Sequence, residues 1–165
     1  MSVVFRTLFF IIFIHGFFLI VIPWILIFLK VLSFFQVLTT ARWLALLPLV
    51  MGLSFYISCV RDFIFLGKGT PAAWDSPVEF VLKGWYRRVR NPMYIGMFLI
   101  LASEAIFFES AGIFLYAIAL WFSFHLFVVY QEEPALKRKF GCVYRNYLKS
   151  VPRWIPLLRR PRGQS

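Results

Sequence analysis

The sequence predicts an all-α, polytopic membrane protein with about four transmembrane helices, a helical hairpin core and an amphipathic C-terminal helix. Three observations carry that reading. Hydrophobic residues make up 61% of the chain and charged residues only 15%, against roughly 25% charged in an ordinary soluble domain. The apolar residues are gathered into long runs nearly free of charge, and the basic residues gather outside those runs. At 165 residues the chain is expected to form one domain, with two N-terminal spans over 1–66, a core over 67–156 and a basic tail over 157–165.

Thr7 to Leu29 is an uncharged run of 23 residues, enough to cross a hydrocarbon layer about 30 Å thick and too long for a signal peptide. Trp43 to Val60 forms a second run, which continues past Arg61 and Asp62 to Leu66. The composition then changes. "GKGTPAAWDSPVEFVLKGWYRRVR", Gly67 to Arg90, mixes Gly, Pro and five basic residues and reads as a loop with one short amphipathic element. Met93 to Phe108 and Gly112 to Tyr130 are two further runs, joined at "ESAG" in a tight helical hairpin.

Five of the 18 Lys and Arg residues lie in the loop and nine follow Glu133. Four crossings with both termini in the cytoplasm satisfy that bias and bring loop and tail to one face. The net charge of +11 is accounted for in the same way, because the cations flank apolar runs and do not cover a polar surface; nucleic acid is not an expected partner. The lipid bilayer is. Cys59 and Cys142 form no spaced set, so neither a disulfide nor a metal site is expected.

On the shared face the loop ends in "VRNPMYIG". Pro92 suits the first turn of a helix and restricts Asn91 to non-helical backbone, so Arg90 and Asn91 are expected to cap a span. Arg87, Arg88 and Arg90 add positive charge where the helix dipole is also positive, a place that favours a carboxylate or phosphate. Glu132 and Glu133 end the last apolar run, with Pro134 opening a further helix. Their local partners would be Lys137 and Arg138, one turn on. Two acids beside an anion-binding helix start fit a ligand carrying both signs, such as S-adenosylmethionine.

These elements, "GWYRRVRNPMYIG", a two-run hairpin, "EEPAL", "FGCVYRNY" and "VPRWIP", resemble the isoprenylcysteine carboxyl methyltransferase and phospholipid methyltransferase superfamily of integral-membrane enzymes, over Gly67 to Pro156. The resemblance implies S-adenosylmethionine as cofactor, bound at the cytosolic helix ends. It implies cofactor contacts from Val81, Tyr86, Asn91, Pro92, Met93, Tyr94 and Glu132 and a lipophilic acceptor; Gly96 and Glu133 are expected at the same cofactor site, and Arg90 is expected to be catalytic. Prenylcysteine enzymes usually have His where this chain has Asn91, and a substrate-binding Arg where it has Val128. The acceptor is therefore open between a carboxylate and an amine.

His125 lies seven residues before Glu132, two α-helical turns and about 10 Å along one face. An ionisable side chain within a span is a functional candidate by default, and His125 is expected to contact the acceptor or to act as base. Glu104 and His15, inside other runs, are expected to make interhelical hydrogen bonds, and Arg61 and Asp62 to pair with each other or the loop. The tail, with Phe140, Tyr144, Tyr147, Trp154 and Ile155 among its cations, fits a surface helix on anionic lipid. Two other readings are an NADPH-dependent, sterol-reductase-like enzyme, whose phosphates would call for more cations, and a non-enzymatic scaffold. The sequence does not give the oligomeric state.

Overall fold

The computed structural model describes residues 5, 7, 9, 11–32, 39–67 and 82–157; Val81 and most of the loop before it lie outside them. Among the described residues every regular element is helical. Helix α1 (Ile11–Phe28) is followed by α2 (Leu46–Asp62), which a 3-10 turn precedes at Thr39–Ala45 and a π turn extends at Phe63–Gly67. Helices α3 (Pro92–Phe107) and α4 (Ala111–Phe127) form the hairpin. A π turn, Val128–Glu132, leads from α4 straight into α5 (Glu133–Ser150), which is broken at Gly141.

Among the described residues three helical stretches are long and apolar enough to cross a membrane: Ile11–Phe28, Arg42–Phe65 and Ala111–Ser150. The expected third span is a 16-residue helix, about 24 Å long and shorter than a full hydrocarbon layer. The expected C-terminal helix does not begin afresh at Pro134, because α5 continues α4. Large apolar side chains face outward along these stretches, with Trp24 at 68%, Phe28 at 75% and Leu47 at 68% exposure. In water such surface would be costly; in lipid it is solvated. The protein is an integral membrane protein.

Because lipid tails are as apolar as the helices, close packing has to come from small residues. On α2 and the turn before it Ala45, Gly52 and Cys59 are buried seven residues apart, and on α3 Gly96 and Ser103 are buried at the same interval. Gly52 and Gly96 meet: a Cβ on Gly52 would lie 2.8 Å from the Gly96 carbonyl, and one on Gly96 would lie 2.9 Å from the Gly52 carbonyl. The α2–α3 backbones touch there. Around this crossing Tyr56, Met93, Met97, Ile100 and Leu101 form the core with Leu19 and Leu120.

The two ends of the bundle are fastened differently. At the hairpin end Ser110 caps α4 by accepting from Ile113 N–H at 3.2 Å, and Arg42 Nε donates to Glu109 at 2.9 Å, which holds the Glu109 carboxyl below its usual range. Inside the bundle Tyr56 and His15 share a 2.6 Å hydrogen bond, the interhelical contact expected of His15. Glu104 differs: its buried Oε2 has no hydrogen-bond partner among the described residues, and Tyr116, the nearby hydroxyl, donates to the Phe18 carbonyl instead. At the opposite end lie the loop, the paired glutamates and the segment after α5.

Replacing Gly96 with leucine should therefore separate α2 from α3 and lower stability by about 1–3 kcal/mol or more. Unfolding in detergent micelles, compared with Leu99→Ala on the half-buried face, checks this; a Gly96→Leu variant as stable as wild type would contradict the crossing.

Candidate functional site

Pro92 occupies the first turn of α3, as its missing N–H favours. Asn91 sits at the N-cap position but does not cap through its side chain. Its amide is turned away from the helix and donates to the Arg153 carbonyl at 3.2 Å. The segment after α5 runs back along the loop: Arg90 N–H donates to the Pro152 carbonyl and Leu157 N–H to the Arg88 carbonyl, both at 2.9 Å. The Tyr147 hydroxyl donates to the Tyr86 carbonyl at 2.7 Å. Tyr144, Tyr147 and Val151 are buried against Leu82. So Tyr144 and Tyr147 are spent on the loop, and Trp154 on α3 and α4, rather than on lipid; Ile155 alone of those expected on lipid is fully outward, at 78% exposure.

Glu133 joins the three pieces. It accepts from Arg90 Nη1 at 2.6 Å and from Arg153 at 2.8 and 3.1 Å. The hydrogen bond to Glu133 raises the Arg153 pKa. Lys137 and Arg138, the expected partners one turn along, are exposed. The preference has a physical reason: a buried carboxylate gains most from cations that are themselves withdrawn from water, and the Arg90 side chain is only 13% exposed.

Glu132 takes a separate partner, accepting from the Tyr94 hydroxyl at 3.2 Å. Tyr94 in turn stacks on Phe124 with centroids 4.8 Å apart. Phe124 and Glu132 are eight residues apart, not seven, yet both meet Tyr94. The π turn explains this, since it takes about one residue more than an α turn. Pro134 causes it: lacking an N–H and crowding the carbonyl four residues back, it cannot sit in a regular α turn.

The same π turn lies between His125 and Glu132, so their separation is not that of two regular α turns. It stacks on Trp121, and its Nδ1 accepts from Trp154 Nε1 at 3.0 Å. Trp154 also lies within 6.4 Å, centroid to centroid, of Tyr94 and Phe98. The result is an aromatic cluster of Tyr94, Phe98, Trp121, Phe124 and Trp154 directly beside Glu132. Arg153 and Trp154 were not among the expected site residues. The paired acids were the available signal, since a buried carboxylate such as Glu133 requires cations from elsewhere in the chain.

The other expected residues divide by position. Arg90, Asn91, Tyr94, Glu132 and Glu133 come together. Tyr86 lies close by, where burial pushes its hydroxyl pKa well up. Met93 and Pro92 are buried, Met93 in the core. Gly96 faces α2, and the helix crossing accounts for its lack of a side chain.

Chemically the site offers one carboxylate, Glu132, held by a single hydroxyl, and one buried guanidinium N–H, Arg90 Nε, with no partner among the described residues. A buried donor left unpaired is costly, so Arg90 is poised for an acceptor. Aromatic faces next to an acid favour a cation. A ligand with a carboxylate, a cationic centre and hydroxyl or ammonium groups fits this set.

The family model for phospholipid methyltransferases matches residues 40–142, well over half of the chain. The chain belongs to that family. It is also 34% identical over 79 residues to the protein-S-isoprenylcysteine O-methyltransferase of Schizosaccharomyces pombe, a match covering 47% of this chain and 33% of the relative. The chain thus spans about a third of that protein's length. Both comparisons are with methyltransferases, and both agree with the resemblance carried by the motifs.

Removing the central carboxylate with Glu133→Ala should strand two arginines and cost on the order of 3 kcal/mol. It should also expose the segment 151–157 to trypsin at Arg153. Unchanged stability and unchanged cleavage would mean that the triad holds nothing together.

Proposed function

We propose that this protein transfers a methyl group from S-adenosylmethionine to a lipophilic acceptor, at the cytoplasmic face of the membrane. The observation that carries the reading is the meeting of Glu132, Tyr94 and the unpartnered Arg90 Nε beside an aromatic cluster. S-adenosylmethionine, when bound, supplies an electrophilic methyl group on a sulfonium. Glu132 would hold its ribose hydroxyls or ammonium, Arg90 its carboxylate, and the aromatic cluster its cationic centre. The excess of cations in loop and tail supports the cytoplasmic assignment.

Methyl transfer from a sulfonium neutralises charge, so the protein's contribution is alignment and exclusion of water. Trp154, Trp121 and Phe98 make the surroundings of the site apolar. Trp121, at 39% exposure, lies on the side from which a lipophilic acceptor would arrive through the bilayer.

The His125 contact bears on the acceptor. Indole N–H is only a donor, so Nδ1 carries the lone pair that accepts from Trp154, and Nε2 carries the proton. In that arrangement His125 offers a hydrogen bond and has no free lone pair with which to act as base. An acceptor that is already ionised needs no base. This favours a carboxylate over a protonated amine, and a methyl ester as product.

Two measurements test the proposal. Glu132→Gln should leave the protein folded and weaken binding of the methyl donor by about tenfold or more, the loss of one charge-assisted contact, by isothermal titration in detergent; unchanged affinity would remove Glu132 from the site. Membranes given radiolabelled methyl donor should yield base-labile label. Label stable to base would point to an amine, and binding of NADPH in place of the methyl donor would point to a reductase.

A further inference from the structure

On another side of the loop the chain forms a cleft of about 490 Å³, lined by Ser58, Arg61 and Asp62 from α2 and by Lys83, Gly84, Trp85, Arg87 and Arg88 from the loop. It shares no lining residue with the Tyr94–Glu132 site. Four cations face one carboxylate. The walls are fixed by contacts that do not use up the charge. Trp85 stacks on Phe55 with centroids 4.1 Å apart, and the Arg88 guanidinium lies 5.5 Å from the Trp85 ring. Arg87 Nε donates to the Leu82 carbonyl at 3.0 Å.

Gly84 brings the loop down onto α2. Its φ is +56°, and a Cβ there would lie 2.5 Å from Asp62 Oδ2. Only glycine lets the chain pass so close to a buried carboxylate in that conformation. Asp62 is held 3.5 Å from Arg61 Nη2, while the Arg61 side chain remains 66% exposed. The cleft therefore keeps a surplus of exposed cationic groups at the end of a helix.

What lies beneath the cleft selects its occupant. One face of α2 runs Leu47, Val50, Ser54, Ile57 and Arg61, at the spacing of successive helical turns. Each of these is exposed, Leu47, Val50 and Ile57 by 61–68%. A cationic cleft thus stands at the head of an apolar, outward-facing stripe. We infer that this cleft binds the phosphate of an anionic phospholipid, with the acyl chains along that stripe of α2. A soluble phosphate would use the cations but not the stripe, and a zwitterionic lipid would gain less from a net positive cleft. The inference rests on the membrane fold and not on the proposed methyl transfer.

The test uses the full chain purified in detergent, following thermal stability while dioctanoyl phosphatidylglycerol, dioctanoyl phosphatidylcholine or inorganic phosphate is added. Phosphatidylglycerol should stabilise saturably, and the other two should not. Arg61→Gln with Lys83→Gln, both exposed positions, should raise the half-saturating phosphatidylglycerol concentration about thirtyfold, as expected for two cations near a lipid surface. Lys137→Gln with Arg138→Gln on α5 should leave it unchanged. Equal stabilisation by phosphate would overturn the lipid assignment, as would equal stabilisation by phosphatidylcholine. An effect of the α5 pair in place of the α2–loop pair would move the site off the cleft. S-adenosylhomocysteine affinity should be the same in both double variants; its loss in the first would place the cleft within the cofactor site and overturn the inference.

Discussion

Glu133 has to be surrounded by arginines for this end of the molecule to exist. A carboxylate withdrawn from water is tolerable only when its oxygens are fully engaged, and its partners come from two segments far from it in sequence, Arg90 before α3 and Arg153 after α5. Satisfying one charge therefore fixes the loop, the α4–α5 junction and the returning segment at once. Backbone bonds then align the strands of chain that the ion triad has brought together. A buried ion cluster is a weak source of net stability but a strong source of geometry, and geometry is what a small site at a membrane surface needs.

The helices are positioned by a different force. Within lipid no hydrophobic gain favours one helix pairing over another, so the contact that excludes alternatives is steric, the Gly52–Gly96 crossing. That crossing sets the α2 end near the α3 start, and the loop between them is pinned by Trp85 on Phe55. Polar triad and glycine crossing thus divide the work, one setting the surface and the other the interior.

The broad fold was legible because a bilayer imposes simple demands on sequence: apolar length, flanking charge and an even spacing of crossings. The hairpin expected between the two motifs was enough to bring Arg90–Tyr94 and Glu132–Glu133 together, although α3 is shorter than the full span the sequence suggested. What was not legible depended on local geometry. Lys137 and Arg138 look like good partners for the glutamates by helical spacing, but spacing says nothing about burial, and the partly buried Arg90 and Arg153 take Glu133 instead. The distance from His125 to Glu132 assumed uniform α turns, and Pro134 makes one of them a π turn. Asn91 has the composition of a cap, but its amide is drawn to a carbonyl that only tertiary structure supplies. Gly96 sits in a motif associated with cofactor binding, while its neighbours show a packing role.

The dependence on Arg153 also imposes an order of events. Every described helix precedes this residue in the chain, so the guanidinium that completes the triad is synthesised after the helices it holds together. The triad therefore closes only when the segment after α5 has folded back onto the loop and the α4–α5 junction.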